Sequence, residues 1–261
     1  MSQSVNWSAV ARARTGTHSM WSAPVYERMS SELHRLGARD ILDIGCGTGE
    51  GATVLASVDD RTVIGADVAV TMIEIAREKS PQREFHVASA EELPFETASF
   101  DAATSVNSVH FCSNVPRALR EIHRILRPAG RFLIHSFGPR DACAHEVPFR
   151  AMLALVPVAL RHEAEYVDPF RLSSPGVFDM LLADVGLEPE ASIYIDVSVK
   201  LVDTEAYLSI FQHVALYPAV SRLVGADAVD DALVRVVEEF RTPAGGIELP
   251  CAARILVAKK S

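Results

Sequence analysis

Residues 40–51 read Asp40-Ile-Leu-Asp43-Ile-Gly45-Cys-Gly47-Thr-Gly49-Glu-Gly51, an apolar run that carries one acid and then breaks into glycines. A short apolar run ending in this way predicts a buried parallel strand that feeds a tight turn into a helix. Glycine suits such a turn because its backbone reaches unusual φ/ψ values and lets a ligand approach with no Cβ in the way. Asp43 sits just ahead of the glycines, where a turn built for a pyrophosphate is normally kept free of negative charge. An acid at that point suits a ligand with a positive end.

Outward from this segment the chain alternates. Strand-like runs near 40–44, 62–67, 84–88, 101–106 and 131–137 are separated by helical patterns near 50–57, 70–79 and 115–126. That order predicts βαβ units in an α/β, Rossmann-like, doubly wound and mostly parallel sheet. A helix over 177–185, an alternating strand at 191–201 and a last apolar strand at 251–259 bring the sheet to seven strands. Turn signals stand at 59–61 and at Arg127-Pro-Ala-Gly130. Residues 138–173 and 203–242 do not fit the sheet. The first has a helical patch at 149–161, and the second reads as two or three helices broken near Pro218 and Gly225. One domain over 1–261 is expected, with a helical cover at 1–37, a core at 38–137 and two cover insertions over the sheet's end.

Composition sets limits. The 261 residues are 49% hydrophobic and 23% charged, enough for a sizeable core. Acids outnumber bases 34 to 25 with no dense basic run, which disfavours a nucleic-acid partner. The four cysteines are scattered and form no metal-type pair, and neither an apolar leader nor a membrane-length apolar stretch is visible. A soluble, cytoplasmic protein with reduced cysteines, no metal and no stable membrane insertion is expected. The oligomeric state is not readable.

Three further segments point at the glycine turn. Asp67 closes the strand Thr62-Val-Ile-Gly-Ala-Asp67, where a doubly wound sheet presents a carboxylate to a ribose; capping of the helix near Val70 is the alternative that its pairing with the glycine turn disfavours. The loop Ala88-Ser-Ala-Glu-Glu-Leu-Pro-Phe95 is placed for an adenine ring, or is a plain connection broken by Pro94. The strand beginning Phe100-Asp-Ala-Ala-Thr leads to Asn107 and His110, polar groups leaving its carboxyl end toward the same crevice. S-Adenosylmethionine, with its ammonium and sulfonium, is a ligand of the required charge.

Together these stretches resemble class I S-adenosylmethionine-dependent methyltransferases, in the branch of ubiquinone/menaquinone-type and natural-product enzymes. The likeness covers about residues 38–137 and includes Ala118-Leu-x-Glu-x-x-Arg124-x-Leu-x-Pro128. It implies that Asp43, Gly45, Gly47 and Gly49 hold the methionine portion and that Asp67 binds the ribose. Val68 and Met72 would pack near the adenosine, with Ser89, Ala90 and Glu91 by the adenine and Asn107 in the crevice. Ser89 stands where the family often has an acid, and Ala129 where a second turn glycine is usual. The stretch Thr15-Gly-Thr-His-Ser-Met-Trp21 is similar to a flexible cofactor cover in quinone methyltransferases.

Methyl transfer from a sulfonium is an in-line displacement, so an enzyme mainly orients its two partners in a dry pocket. His110, which matches a histidine of this branch, is the candidate general base; bonding to a loop carbonyl is the alternative. His135 is a second candidate, and His145, His162, Tyr166, Asp168 and His213 fall in the presumed covers. Cover residues such as Phe149, Met152, Phe170 and Phe211 imply a small, largely apolar acceptor, a secondary metabolite or a quinone- or lipid-like molecule, unless they only pack on the sheet. Two other readings stay open. Gly47-x-Gly49-x-x-Ala52 satisfies the loose pattern of an NAD(P)-dependent oxidoreductase. A cofactor-retaining module or a cyclase would use the same site without methylating anything.

Overall fold

The structure, a computed structural model, describes residues 17–58, 60–164, 166–174 and 176–261. The expected cover at 1–37 falls outside this description up to residue 16, as does the start of the stretch at 15–21. The elements run α1 (Thr17–Arg35), β1 (Asp40–Ile44), α2 (Glu50–Leu55), β2 (Thr62–Asp67), α3 (Val70–Lys79), β3 (Glu84–Val87), β4 (Phe100–Ser105), α4 (Val115–Ile125) and β5 (Leu126–Phe137). There follow α5 (Glu146–Leu155), α6 (Val177–Ala183), β6 (Leu187–Leu201), α7 (Thr204–Phe211), α8 (Leu216–Val224), α9 (Ala226–Val237) and β7 (Ile247–Lys260).

The seven strands form one sheet in the order β3-β2-β1-β4-β5-β7-β6. β1 pairs in parallel with β2 and β4, β2 with β3, and β4 with β5, whereas β7 runs antiparallel to β5. This is the expected α/β, doubly wound sheet. The strand order reverses between β1 and β4, which opens a crevice at their carboxyl ends.

By chain contacts the described residues divide into two compact units. The larger comprises residues 17–137, 169–195 and 253–261; the smaller comprises 138–168 and 196–252. In the larger unit, α4 shows why the pattern folds as it does. Asn114 caps it by accepting a hydrogen bond from the Arg117 N–H at 3.0 Å, and Pro116 sits in the first turn, where no N–H is needed. Val115, Leu119, Ile122 and Ile125 then fall on one stripe and are buried with Phe100, Phe132, Phe178 and Leu256. In the smaller unit α9 packs on α5 and α8 around Met152, Tyr207, Phe211 and Leu233, with the Tyr207 and Phe211 rings 4.8 Å apart.

Several boundaries differ from the sequence expectation. Arg127-Pro-Ala-Gly130 is not a turn between elements but a bulge inside β5: Phe100 pairs with Leu126, and Ala102 already with Arg131. Ala129 takes φ 62° there. Arg127 holds the bulge by bonding Asp40 and Asp101, and a Cβ on Gly130 would stand 2.9 Å from the Arg127 carbonyl. Pro218 breaks nothing, because it lies in the first turn of α8. The patch at 149–161 is two pieces, α5 and a 3-10 segment over Val158–Glu163, parted at Pro157. Cys143 and Cys251, far apart in sequence, meet across an isolated antiparallel bridge, both as free thiols.

Truncating Ile122, fully buried in the α4 stripe, is expected to cost about 2–5 kcal/mol. Urea denaturation of Ile122→Ala measures it, and a loss under about 1 kcal/mol would show that the stripe does not hold α4 to the sheet.

Candidate functional site

β1 is buried on both faces, so Asp43 has no solvent contact at all. Its carboxylate accepts hydrogen bonds from the Thr104 hydroxyl at 2.8 Å and from the Tyr26 hydroxyl at 3.2 and 3.3 Å. Thr104 comes from the neighbouring strand β4 and Tyr26 from α1. Even so, burial dominates and pushes the Asp43 carboxyl up to about 7, the two hydroxyls opposing it. The same burial beside Asp43 drives the Tyr26 phenol and the Cys46 thiol well above their ordinary values.

The turn after β1 passes through Gly45, Gly47 and Gly49 at φ 72°, 54° and 85°. Gly45 and Cys46 N–H both donate to the Ala66 carbonyl, at 2.7 and 3.1 Å, which ties the turn to β2. Two glycines have different reasons. A Cβ on Gly45 would stand 1.9 Å from the Ser108 hydroxyl oxygen, whereas one on Gly47 would meet nothing within 4 Å. Gly47 therefore faces open space, and only its left-handed backbone demands glycine.

Asp67, at the end of β2, bridges both sides of the turn. Its Oδ2 accepts from the Gly47 N–H at 3.0 Å and its Oδ1 from the Ala69 N–H at 2.9 Å. Burial raises its pKa against these backbone bonds. Asp67 does not cap α3, whose N-cap Ala69 has no side-chain cap bond, and each of its oxygens keeps a further lone pair for a ligand. Val68 is 57% exposed beside it, and Met72 is half-buried in the first turn of α3.

The loop after β3 is locally bonded. The Ser89 hydroxyl accepts from the Glu91 N–H at 3.1 Å, and the Glu91 carboxylate accepts from the Asn114 N–H at 2.9 Å. Ser89, Ala90 and Glu91 are all half-buried. Asn107 follows β4 at φ 52°, and its buried Oδ1 has no hydrogen-bond partner among the described residues.

His110 lies in the 3-10 turn Val109–Phe111, buried, with its ring 4.2 Å from that of Phe111. Burial first, then His135 and Arg171, lower its pKa to about 3. His135 is buried on β5, its ring 5.5 Å from Phe137. In the smaller unit His145 is buried 6.1 Å from Phe211, the half-buried His213 bonds the Ser209 carbonyl, and Asp168 pairs with Arg140. His162 is exposed and Tyr166 half-buried. Among the described residues no three His, Cys, Asp or Glu side chains gather as a metal site, and no helix is long and apolar enough to cross a membrane.

The structure thus brings Asp43, Gly45, Gly47, Gly49 and Asp67 into one connected turn. Sequence reasoning missed Tyr26, Thr104 and Ser108. None of the three left a local signal, because each meets the turn only through the fold.

A doubly wound sheet with a glycine turn at its switch point defines a Rossmann-like cofactor-binding fold. Residues 42–134 match the family described as a methyltransferase domain. Demethylmenaquinone methyltransferase of Chlorobaculum parvum is 30% identical over 127 residues, 48% of this chain and 53% of that protein. The 27-O-demethylrifamycin SV methyltransferase of Amycolatopsis mediterranei is 29% identical over 180 residues, 64% of this chain and 60% of that one. The chain spans about half the length of the first of these relatives. Among solved structures, the YcgJ protein from Bacillus subtilis shares the fold at TM-score 0.57 and 22% identity, over 89% of this chain and 98% of that one. The methyltransferase likeness thus covers residues 42–134, the stretch that holds the glycine turn, Asp67 and His110.

A carboxyl whose folded pKa lies above its unfolded value takes up a proton on folding between the two. For Asp43 that window runs from about pH 4 to about 7, so its contribution to stability falls as pH rises through it, by at most about 1.4 kcal/mol per pH unit. Asp43→Asn is therefore expected to be more stable than the parent at pH 8, with the gap closing toward pH 4. Urea midpoints at several pH values measure this; a variant less stable at pH 8 would contradict it.

Proposed function

We propose that the chain transfers a methyl group from S-adenosylmethionine to a small, largely apolar acceptor. The observation that carries this reading is the open side of Gly47, whose N–H is held by the Asp67 carboxylate in the turn that follows the buried Asp43. A diphosphate would be repelled by both acids, whereas a ligand with an ammonium and a ribose suits them. The unpartnered Asn107 oxygen adds a further acceptor atom next to the same strand ends. The residues thus fit the cofactor.

In this reading Asp43, Gly45, Gly47 and Gly49 hold the methionine portion, and Asp67 the ribose hydroxyls. Val68 and Met72 lie along the adenosine, Ser89, Ala90 and Glu91 along the adenine, and Asn107 in the crevice. The bound cofactor supplies an activated methyl group on a sulfonium. The protein's residues then have to orient the acceptor and keep water out, an effect that reaches ~7 kcal/mol or more in model systems. His110 is assigned to the acceptor's reacting atom. Its assistance as a base is limited in the free protein, because a proton on its buried ring is unfavourable.

A secondary metabolite or a quinone- or lipid-like acceptor suits the relatives, one named for a demethylmenaquinone and the other for a rifamycin. Residues 138–173 and 203–242 are proposed to choose among such acceptors. A cytoplasmic setting belongs to the same proposal, resting on the reduced cysteines.

Calorimetry tests the cofactor assignment. S-Adenosylmethionine is expected to bind and NAD not, with Asp67→Ala weakening affinity at least about 10-fold, the scale of one lost charge-assisted hydrogen bond. Unchanged affinity in Asp67→Ala would remove the ribose assignment. Release of S-adenosylhomocysteine with an acceptor would distinguish methyl transfer from mere retention.

A further inference from the structure

We propose that the acceptor is an acidic X–H compound, a phenol, enol or carboxylic acid, which binds as its anion beside His110, His135 and Arg171 and is methylated on the anionic atom. This rests on the methyl-transfer reading above and narrows it to a chemical class.

The three residues come together through a run of contacts in the larger unit. Arg171 donates from Nη2 to the carbonyl of Cys112 at 3.0 Å, two residues beyond His110. Phe170, which precedes Arg171, lies 4.9 Å ring to ring from Phe137, and Phe137 lies 5.5 Å from His135. His110 itself is 2% exposed, and its Nε2 has no hydrogen-bond partner among the described residues. A buried polar atom without a partner is unfavourable and marks a place for a ligand atom.

The charges that act on His110 are those of His135, from β5, and Arg171, from the segment before α6; both disfavour its protonated form, as does burial. Glu91 acts on the neighbouring Cys112, where Arg171 opposes it. A general base must hold the proton it removes, and His110 is badly placed to do so. Neutral His110 can instead donate its Nε2–H to an anion that Arg171 also attracts.

Other acceptors fare worse in this setting. An alcohol would need a base able to keep its proton. An amine would turn cationic on methylation, beside the same basic groups. An anion arrives with its proton already left in solvent. The X–CH3 bond then forms as the S–CH3 bond breaks, the bonding pair stays on sulfur, and two opposite charges cancel in a poorly solvated site.

The test uses the protein saturated with S-adenosylhomocysteine, whose own binding checks the cofactor site separately. The probes are 4-hydroxycoumarin, an anion at pH 8, and coumarin, its uncharged counterpart, both titrated by calorimetry. The hydroxycoumarin is expected to bind at least 10-fold more tightly than coumarin. That preference should fall to under 3-fold in Arg171→Gln and survive in Arg171→Lys, with S-adenosylhomocysteine affinity and the thermal midpoint confirming that each variant folds. Equal binding of the two probes, binding of neither, or a full preference in folded Arg171→Gln would overturn the proposal. Should Arg171→Gln not fold, the preference of the unmodified protein and its loss in His110→Gln decide. Failure of S-adenosylhomocysteine itself to bind would instead sink the methyl-transfer reading.

Discussion

A carboxylate sealed inside a parallel sheet, with no cation beside it among the described residues, is an unfavourable thing to bury, and Asp43 is such a group. Two hydroxyls offset part of the penalty, and they come from opposite directions in the chain, Tyr26 on α1 and Thr104 on β4. Their bonds fix α1 over the end of β1 and register β1 against β4. They do not restore an ordinary acidity, because the carboxyl remains near 7. Stability is thus sacrificed at one position, and in the proposed reading the ammonium of the cofactor supplies the compensating charge. The turn beyond Asp43 obeys the same constraint: Gly45 must clear Ser108, Gly47 must stay open, and Asp67 pins the Gly47 N–H from the far side.

Much of the fold was legible because periodicity and punctuation agree along the central chain. β1, β2 and α3 begin and end where the apolar runs and turn residues of 40–44, 62–67 and 70–79 predict. Where prediction and structure part, a tertiary interaction explains it. Arg127 reaches Asp40 and Asp101, so a Pro-Ala-Gly signal that reads as a turn becomes a bulge within β5. Pro218 reads as a break but occupies a first turn, where its missing N–H is harmless. The glycine turn and both acids were visible as local motifs. The hydroxyls on Asp43 were not, since Tyr26 lies 17 residues upstream and Thr104 61 downstream, and no local pattern links them.

The chemistry expected of His110 changes with its surroundings. From sequence it reads as a histidine at the mouth of a crevice, free to titrate near neutrality. In the fold it is buried beside other basic groups and stays neutral, which in the proposed reaction leaves it to orient rather than to store a proton. That suits methyl transfer, in which the donor is already activated and geometry carries most of the barrier reduction. In the proposed reaction charge is then managed at two places: Asp43 and Asp67 for the cation, and the basic cluster for what the cation reacts with.

The claim that Asp43 awaits a cation is tested most directly by titrating S-adenosylmethionine calorimetrically between pH 5.5 and 8, in two buffers of different ionisation enthalpy. With the Asp43 carboxyl near 7, cation binding below that pH must expel its proton. The expected result is an affinity that climbs with pH up to about 7, with close to one proton released at pH 6 and none in Asp43→Asn. An affinity indifferent to pH, with no proton released by the unmodified protein, would contradict the account.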